Sequence, residues 1–195
     1  MVKMTRPSPL SRTLALVPPV VVLVAQHASG SIFLKVETTN GGMITGESLD
    51  TKHTGWIDVS STQFGIANTV TLGTNTGGIS AGKSVGSDLT VTKSLDRSSP
   101  QLFLGCAQGT HYPTVTLELA TTSGTGALVV YYKITLSNVI VSNLSTSSGG
   151  DRPSESVSMS YEKITTDYYM VDAKGGVPIT PTSTATWNFA TNSTK

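Results

Sequence analysis

The segment Gly77-Gly78-Ile79-Ser80-Ala81-Gly82-Lys83-Ser84 satisfies the letter pattern G-x-x-x-x-G-K-S. In nucleotide-binding enzymes such glycines let backbone N–H groups wrap a phosphate, while the lysine neutralises charge and the serine binds Mg²⁺. That chemistry needs a helix starting at the lysine, because the helix N-terminus supplies part of the anion site. Here the motif runs into Val85-Gly86-Ser87-Asp88-Leu89-Thr90-Val91, which reads as a loop leading to a strand. The chain also lacks an apolar strand ending in Asp to hold the metal, and the α/β alternation that houses such sites. The motif therefore reads as a loop with an exposed lysine.

The remaining reactive groups are scattered. His27, His53 and His111 have no Cys or His at metal-ligand spacing, so neither a metal site nor a cofactor is expected. Cys106 and His111 would suit a thiol–imidazole pair, but nothing supplies a third, orienting group, and an inert packed thiol is the simpler account. Glu47, Asp50 and Asp58 lie close enough in sequence to suggest paired carboxylates. Their company of Lys52 and His53 favours an interfacial salt-bridge network instead. Asp151-Arg152 reads as an ion pair or a turn. Asn143-Leu144-Ser145 and Asn192-Ser193-Thr194 match the glycosylation acceptor pattern, which is common by chance. No residue is assigned a catalytic role. What stands out is the stretch Gly46–Gly55 itself: polar and charged, without a catalytic grouping, and suited to contact.

The elements that would hold this loop are strands. Only 13% of the 195 residues are charged and 6% are aromatic, with Gly abundant, as in a β protein rich in turns. Ile32–Glu37, Trp56–Val59, Phe64–Ala67, Asp88–Lys93, Val115–Leu119, Tyr132–Leu136, Val139–Val141, Val157–Tyr161 and Thr166–Tyr169 read as short strands, several with clear alternation. Such spacing indicates an antiparallel sandwich or barrel. One helix is predicted over Gln101–Gln108, with Ser99 as N-cap, Pro100 in the first turn and Gly109 as terminator; Leu102, Phe103 and Cys106 are expected to pack on the barrel. Thr74–Gly86 and Ser145–Pro153 read as Gly/Ser/Thr-rich loops.

The N-terminus differs from the rest. Lys3, Arg6 and Arg12 precede an apolar run over Leu14–Ala25, and Ala28-Ser29-Gly30 follows with small residues. That order is a secretory signal pattern, and equally an extension upstream of the domain. The run is short for a bilayer and is interrupted by Pro18-Pro19, so no stable membrane span is expected. The organisation is thus an extension over residues 1–30 and one domain over 31–195. Net charge is +1, which removes the electrostatic case for nucleic acid. With a single cysteine, no intrachain disulfide forms, and stability must come from packing or assembly.

In their order, these pieces resemble the Hcp (haemolysin-coregulated protein) family of type VI secretion systems. The likeness runs from Ile32-Phe33-Leu34-Lys35-Val36 through Gly46-Glu47-Ser48 and Lys52-His53-x-Gly55-x-Ile57-Asp58-Val59. It continues in Asp88-Leu89-x-Val91-Thr92-Lys93, Asp96-Arg97-Ser98-Ser99-Pro100-Gln101-Leu102, Tyr132-Lys133-Ile134-Thr135-Leu136 and Asp151-Arg152-Pro153, and closes with Trp187-Asn188. The resemblance implies an all-β fold with one short helix: a closed antiparallel β-barrel of two packed sheets. It also implies a structural subunit, not an enzyme. Such subunits form a homo-oligomer of hexameric rings stacked into a tube, inside a contractile sheath and behind a spike protein, with effector cargo in the lumen. Glu47, Ser48, Asp50, Lys52 and His53 are then the expected subunit or ring contact loop. Assembly is expected in the bacterial cytoplasm with release to the exterior, while the N-terminal pattern keeps signal-peptide-dependent export open. A Sec-exported β-sandwich surface or adhesion protein reusing this fold is the alternative. Family members begin just before the Ile32-Phe33-Leu34 strand, so residues 1–30 depart from the pattern.

Overall fold

Strand β1 (Gly30–Val36) shows how alternation builds this molecule. Leu34 and Val36 point into the core, whereas Phe33 is buried outside the core cluster, on the opposite face. The computed structural model describes residues 30–72, 78–124, 126–172, 176, 178 and 180–194. The elements after β1 are β2 (Ile57–Val59), β3 (Ser61–Gln63), β4 (Ile66–Leu72), β5 (Ile79–Gly86), β6 (Leu89–Ser94), α1 (Ser99–Gln108), β7 (His111–Thr122), β8 (Leu128–Ser147), β9 (Ser154–Tyr168) and β10 (Ser183–Asn188).

The main antiparallel sheet runs in the order β2-β1-β7-β8-β9-β6-β3, with β10 also on β9. Its two edges are consecutive in the chain. Only Ser60 separates β2, beside β1, from β3, beside β6, and Ser60 N–H donates to Thr92 O at 2.8 Å. Residues 57–63 therefore join the edges and close the barrel. The two packed layers are halves of this one sheet, because β8 and β9 pass through both. β9 pairs β6 along 154–159 and β10 along 163–168. A register shift between Val141 and Asn143 and the left-handed Asn138 (φ 52°) mark where β8 bends. A single cluster fills the interior, with Leu34, Ile57, Leu89, Leu117, Leu136 and Met159 fully buried. Each such side chain contributes about 1.5–3 kcal/mol on leaving water.

Helix α1 begins one residue earlier than expected: Ser98, not Ser99, is the N-cap residue, and the Ser99 hydroxyl is spent on Glu155 and Lys93 instead; Pro100 lies in the first turn, and Gly109 (φ 63°) closes the helix with a left-handed cap. Its buried residues are Ser99, Leu102 and Gly105, with Cys106 partly buried; Phe103 is exposed, contrary to expectation. Residues i, i+3 and i+4 share a face, and Phe103 lies about 100° round from Leu102. Gly105 sits on the Tyr112 hydroxyl, where a Cβ would be 1.9 Å from Oη.

Two expected loops contain strands instead. Ile79–Gly86 forms β5 and pairs with β4 as a separate two-stranded hairpin. Its root is tied to the end of the chain by Ser84, whose N–H and Oγ both donate to Asn192 Oδ1. Residues 145–147 extend β8, because β9 continues alongside and supplies the ladder partners. Among the described residues no helix is long and apolar enough to cross a membrane. The basic, apolar and small-residue segments before Gly30 lie outside the described residues, as does Gly77.

Candidate functional site

The loop between β1 and β2 is a small, tightly specified hairpin. Gly46 N–H donates to Gly55 O at 2.8 Å, Ser48 N–H to Trp56 O at 3.0 Å and Gly55 N–H to Ser48 O at 3.0 Å. The strands approach so closely that a Cβ on Gly46 would lie 2.3 Å from Trp56 O. Gly55 turns the return strand at φ +75°, a conformation that suits glycine. At the tip Asp50 organises an Asx turn: its Oδ1 accepts the N–H groups of Lys52 (3.0 Å) and His53 (3.1 Å), and its carbonyl accepts Thr54 Oγ1 (2.9 Å).

His53 then fastens this turn to the barrel. The side chain is 2% exposed and lies flat on Phe33, with centroids 4.0 Å apart and planes 3° from parallel. Trp56 closes over it edge-on at 5.0 Å. Nδ1 is 2.6 Å from Asp50 Oδ1 and Nε2 is 2.9 Å from Glu118 Oε2 on β7, so each ring nitrogen is held by a carboxylate oxygen. Register explains the reach, because Phe33 and Glu118 are direct partners across β1 and β7. Burial pushes the Asp50 carboxyl up. The bond to the His53 ring, the Lys52 N–H and the charge and N–H of His53 together outweigh it, leaving Asp50 below the ordinary 3.8.

Of the five residues expected at contacts, Ser48 and His53 are therefore buried inside their own chain, and Asp50 is engaged by His53. Glu47 is exposed and pairs with Arg152 (3.1 Å), and its Oε1 accepts the Arg97 N–H. Lys52 is exposed. Asp58 lines the same depression as Glu47 and Arg152, while Asp50 is occupied by His53. Sequence reasoning passed over Leu49, which stands at the tip 93% exposed. An apolar residue in a charged, glycine-bounded turn was the available signal.

A second polar cluster was also missed. Lys93 is 1% exposed, and its Nζ lies 2.8 Å from Glu155 Oε2, 2.8 Å from Asp96 Oδ1 and 2.9 Å from Ser99 Oγ. Ser99 Oγ in turn donates to Glu155 and accepts the Asp96 N–H. This network locks the start of α1 to β6 and β9, and its burial leaves a substrate no access. Parity carries the signal: Lys93 shares the inward face of Leu89 and Val91, and Glu155 that of Val157 and Met159.

The other candidates separate. Lys83 and Ser84 lie within β5, with the Ser84 amide already bound to Asn192, so no helix N-terminus faces a phosphate there. His111 bonds Asn138 (2.9 Å), whereas Cys106 packs on the core. Among the described residues no His, Cys, Asp and Glu cluster suits a metal ion.

Comparison with known proteins agrees with this architecture. A family model described as "Type VI secretion system effector, Hcp" matches residues 33–168. Protein hcp1 of Pseudomonas aeruginosa is 36% identical over 107 residues, which span 54% of this chain and 65% of that protein, just under two thirds of its length. A solved type six secretion system protein superposes with a TM-score of 0.76 at 30% identity, covering 86% of this chain and 100% of the other. Hcp1 from Salmonella typhimurium gives 0.64 at 31% identity, covering 84% and 97%. With the closed barrel, the flanking helix and this match along most of the described domain, the chain belongs to the Hcp family of type VI secretion proteins.

Proposed function

We propose that the protein is a structural subunit of the type VI secretion inner tube. Copies associate side by side into hexameric rings, the rings stack into a hollow tube, and a contractile sheath propels the tube outward behind a spike protein, with effectors in the lumen. The observation that carries this reading is the latched loop. Its interior side chains, Ser48, Asp50 and His53, are spent on holding shape, and its tip offers Leu49 and Lys52 outward. A rigid loop loses little conformational entropy when it docks, so its exposed residues contribute more of their interaction energy to association. Within the proposed contact, Leu49 supplies apolar burial and Lys52 supplies orientation and partner choice. Glu47 holds the loop against Arg97 and Arg152. Association also compensates for the absence of disulfides.

Negative-stain microscopy of the purified protein tests this directly. Rings or stacked tubes are the expected particles. Strictly monomeric particles at high concentration refute the reading.

A further inference from the structure

We propose that Asn40 is a site of spontaneous covalent modification, at which the backbone nitrogen of Gly41 displaces ammonia from the side-chain amide and leaves aspartate or isoaspartate at position 40. Asn40 is the only asparagine in the chain followed by glycine. The pair lies at the tip of a short turn that follows β1. Thr38 N–H donates to Gly42 O at 2.9 Å and Gly41 N–H donates to Thr38 O at 3.0 Å to close it. Both residues are exposed, and a Cβ built on Gly41 would meet nothing within 4 Å, so space is open for a cyclic imide and for water. Any other residue at 41 would place a side chain beside the attacking nitrogen.

The side chain of Asn40 is held as an electrophile. Its Oδ1 accepts the Thr38 hydroxyl at 2.6 Å and the Gly42 N–H at 3.3 Å. That oxygen is where negative charge develops when a nucleophile adds to Cγ, and two donors already aimed at it stabilise the adduct. Gly42 also matters for its size, since a Cβ there would fall 3.3 Å from Thr38 Oγ1 and 3.4 Å from Asn40 Oδ1. The Nδ2 group has no hydrogen-bond partner among the described residues, which leaves it free to depart.

The step balances with water alone. Gly41 N gives its proton to water, releases Thr38 O and bonds Cγ; the Cγ–Nδ2 bond breaks, Nδ2 takes up a proton, and ammonia departs from a cyclic imide. Water then opens the imide. Cleavage of the new N–Cγ bond restores the backbone with aspartate at position 40, whereas cleavage of the original peptide bond routes the backbone through the side chain as isoaspartate. Either product adds one carboxylate and cancels the formal net charge of +1. Isoaspartate also lengthens the main chain by a methylene, so the two backbone bonds of the turn cannot both survive. Met43 carries the disturbance onward, because it is bridged to Glu37 and its Cε would lie 3.2 Å from a Cβ on Gly55.

Peptide mapping by mass spectrometry tests this on the purified full-length chain held for weeks at physiological temperature and pH. The peptide containing residue 40 is expected to gain about 1 Da, as a carboxyl replaces an amide, with isoaspartate in excess of aspartate. Asn40→Ser, at an exposed turn position, is expected to fold normally and to show no such gain. Thr38→Val, which removes the hydroxyl donor and keeps the shape, is expected to slow the conversion about fivefold. A peptide unchanged after weeks, conversion shared evenly with Asn143 or Asn192, or aspartate without isoaspartate overturns the proposal. An unchanged rate in Thr38→Val overturns the part assigned to that hydroxyl.

Discussion

Replacing His53 by alanine should do more than any other single change to free the loop. The native ring stacks on Phe33 at 4.0 Å and is edge-packed by Trp56. Losing such aromatic packing costs about 0.5–1.5 kcal/mol beyond burial. The bonds to Asp50 at 2.6 Å and Glu118 at 2.9 Å are charge-assisted, a class that contributes about 1.5–3 kcal/mol. The two ring bonds and the stacking act as one unit, and water replaces part of what is lost at the edge of the loop, so the net loss is about 2–4 kcal/mol. For a domain of this size that lowers Tm by roughly 5–12 °C. Urea unfolding reads the total, and amide exchange locates it. The N–H groups of Gly46, Ser48 and Gly55, all bonded within the loop, should lose protection before those of β7. Phe33 should also become accessible, since the His53 ring covers it. A loss under about 1 kcal/mol, with loop protection intact, would refute the latch.

Three further outcomes follow from the same geometry. Gly46→Ala should cost about 2–4 kcal/mol in denaturant unfolding, because its Cβ would fall 2.3 Å from the Trp56 carbonyl and drive the loop strands apart. Lys93→Ala should cost about 3–5 kcal/mol by leaving Glu155 and Asp96 without their buried cation, whereas Lys93→Met with Glu155→Leu should recover much of that loss. The Asp50 carboxyl is lower in the folded state than in the unfolded chain, so it stabilises the protein above pH 3.8 and loses that contribution as pH falls through the lower, folded value. Asp50→Asn should therefore flatten acid-induced unfolding below about pH 4, and a curve identical to that of the native chain would contradict the assignment.

Much of this architecture is legible in the sequence because one physical rule dominates it. Where alternating side chains have one face in the core, as at Leu34 and Val36, Leu89 and Val91, or Leu117 and Leu119, a period of two appears directly in the residue order. The rule fails where backbone geometry interrupts it. The strand through Leu136 and Val141 reads as two pieces because Asn138 and the shift before Asn143 break the alternation without breaking the strand. The β4–β5 hairpin is hidden differently. Its Gly, Ser and Thr residues look like a loop, and its apolar face has no core beneath it to produce a pattern.

The contact loop shows the same division. Its position and polarity are visible from Glu47, Asp50, Lys52 and His53, yet their separate roles depend on packing. Nothing local tells that His53 lies on Phe33 or reaches Glu118, 65 residues away in the chain. Leu49 escaped notice because charged neighbours define the stretch, although an unburied leucine among them is its most informative member. Lys93 and Glu155 were readable by parity, but ionised side chains are expected at a surface unless their partners are known.

Native mass spectrometry of the purified full-length chain across a concentration series tests assembly into stacked hexameric rings. A species of six copies is expected that grows with concentration, accompanied by multiples of six as rings stack, and depleted by Leu49→Asp. A single-copy species alone at every concentration, from protein that is folded by circular dichroism, would contradict it.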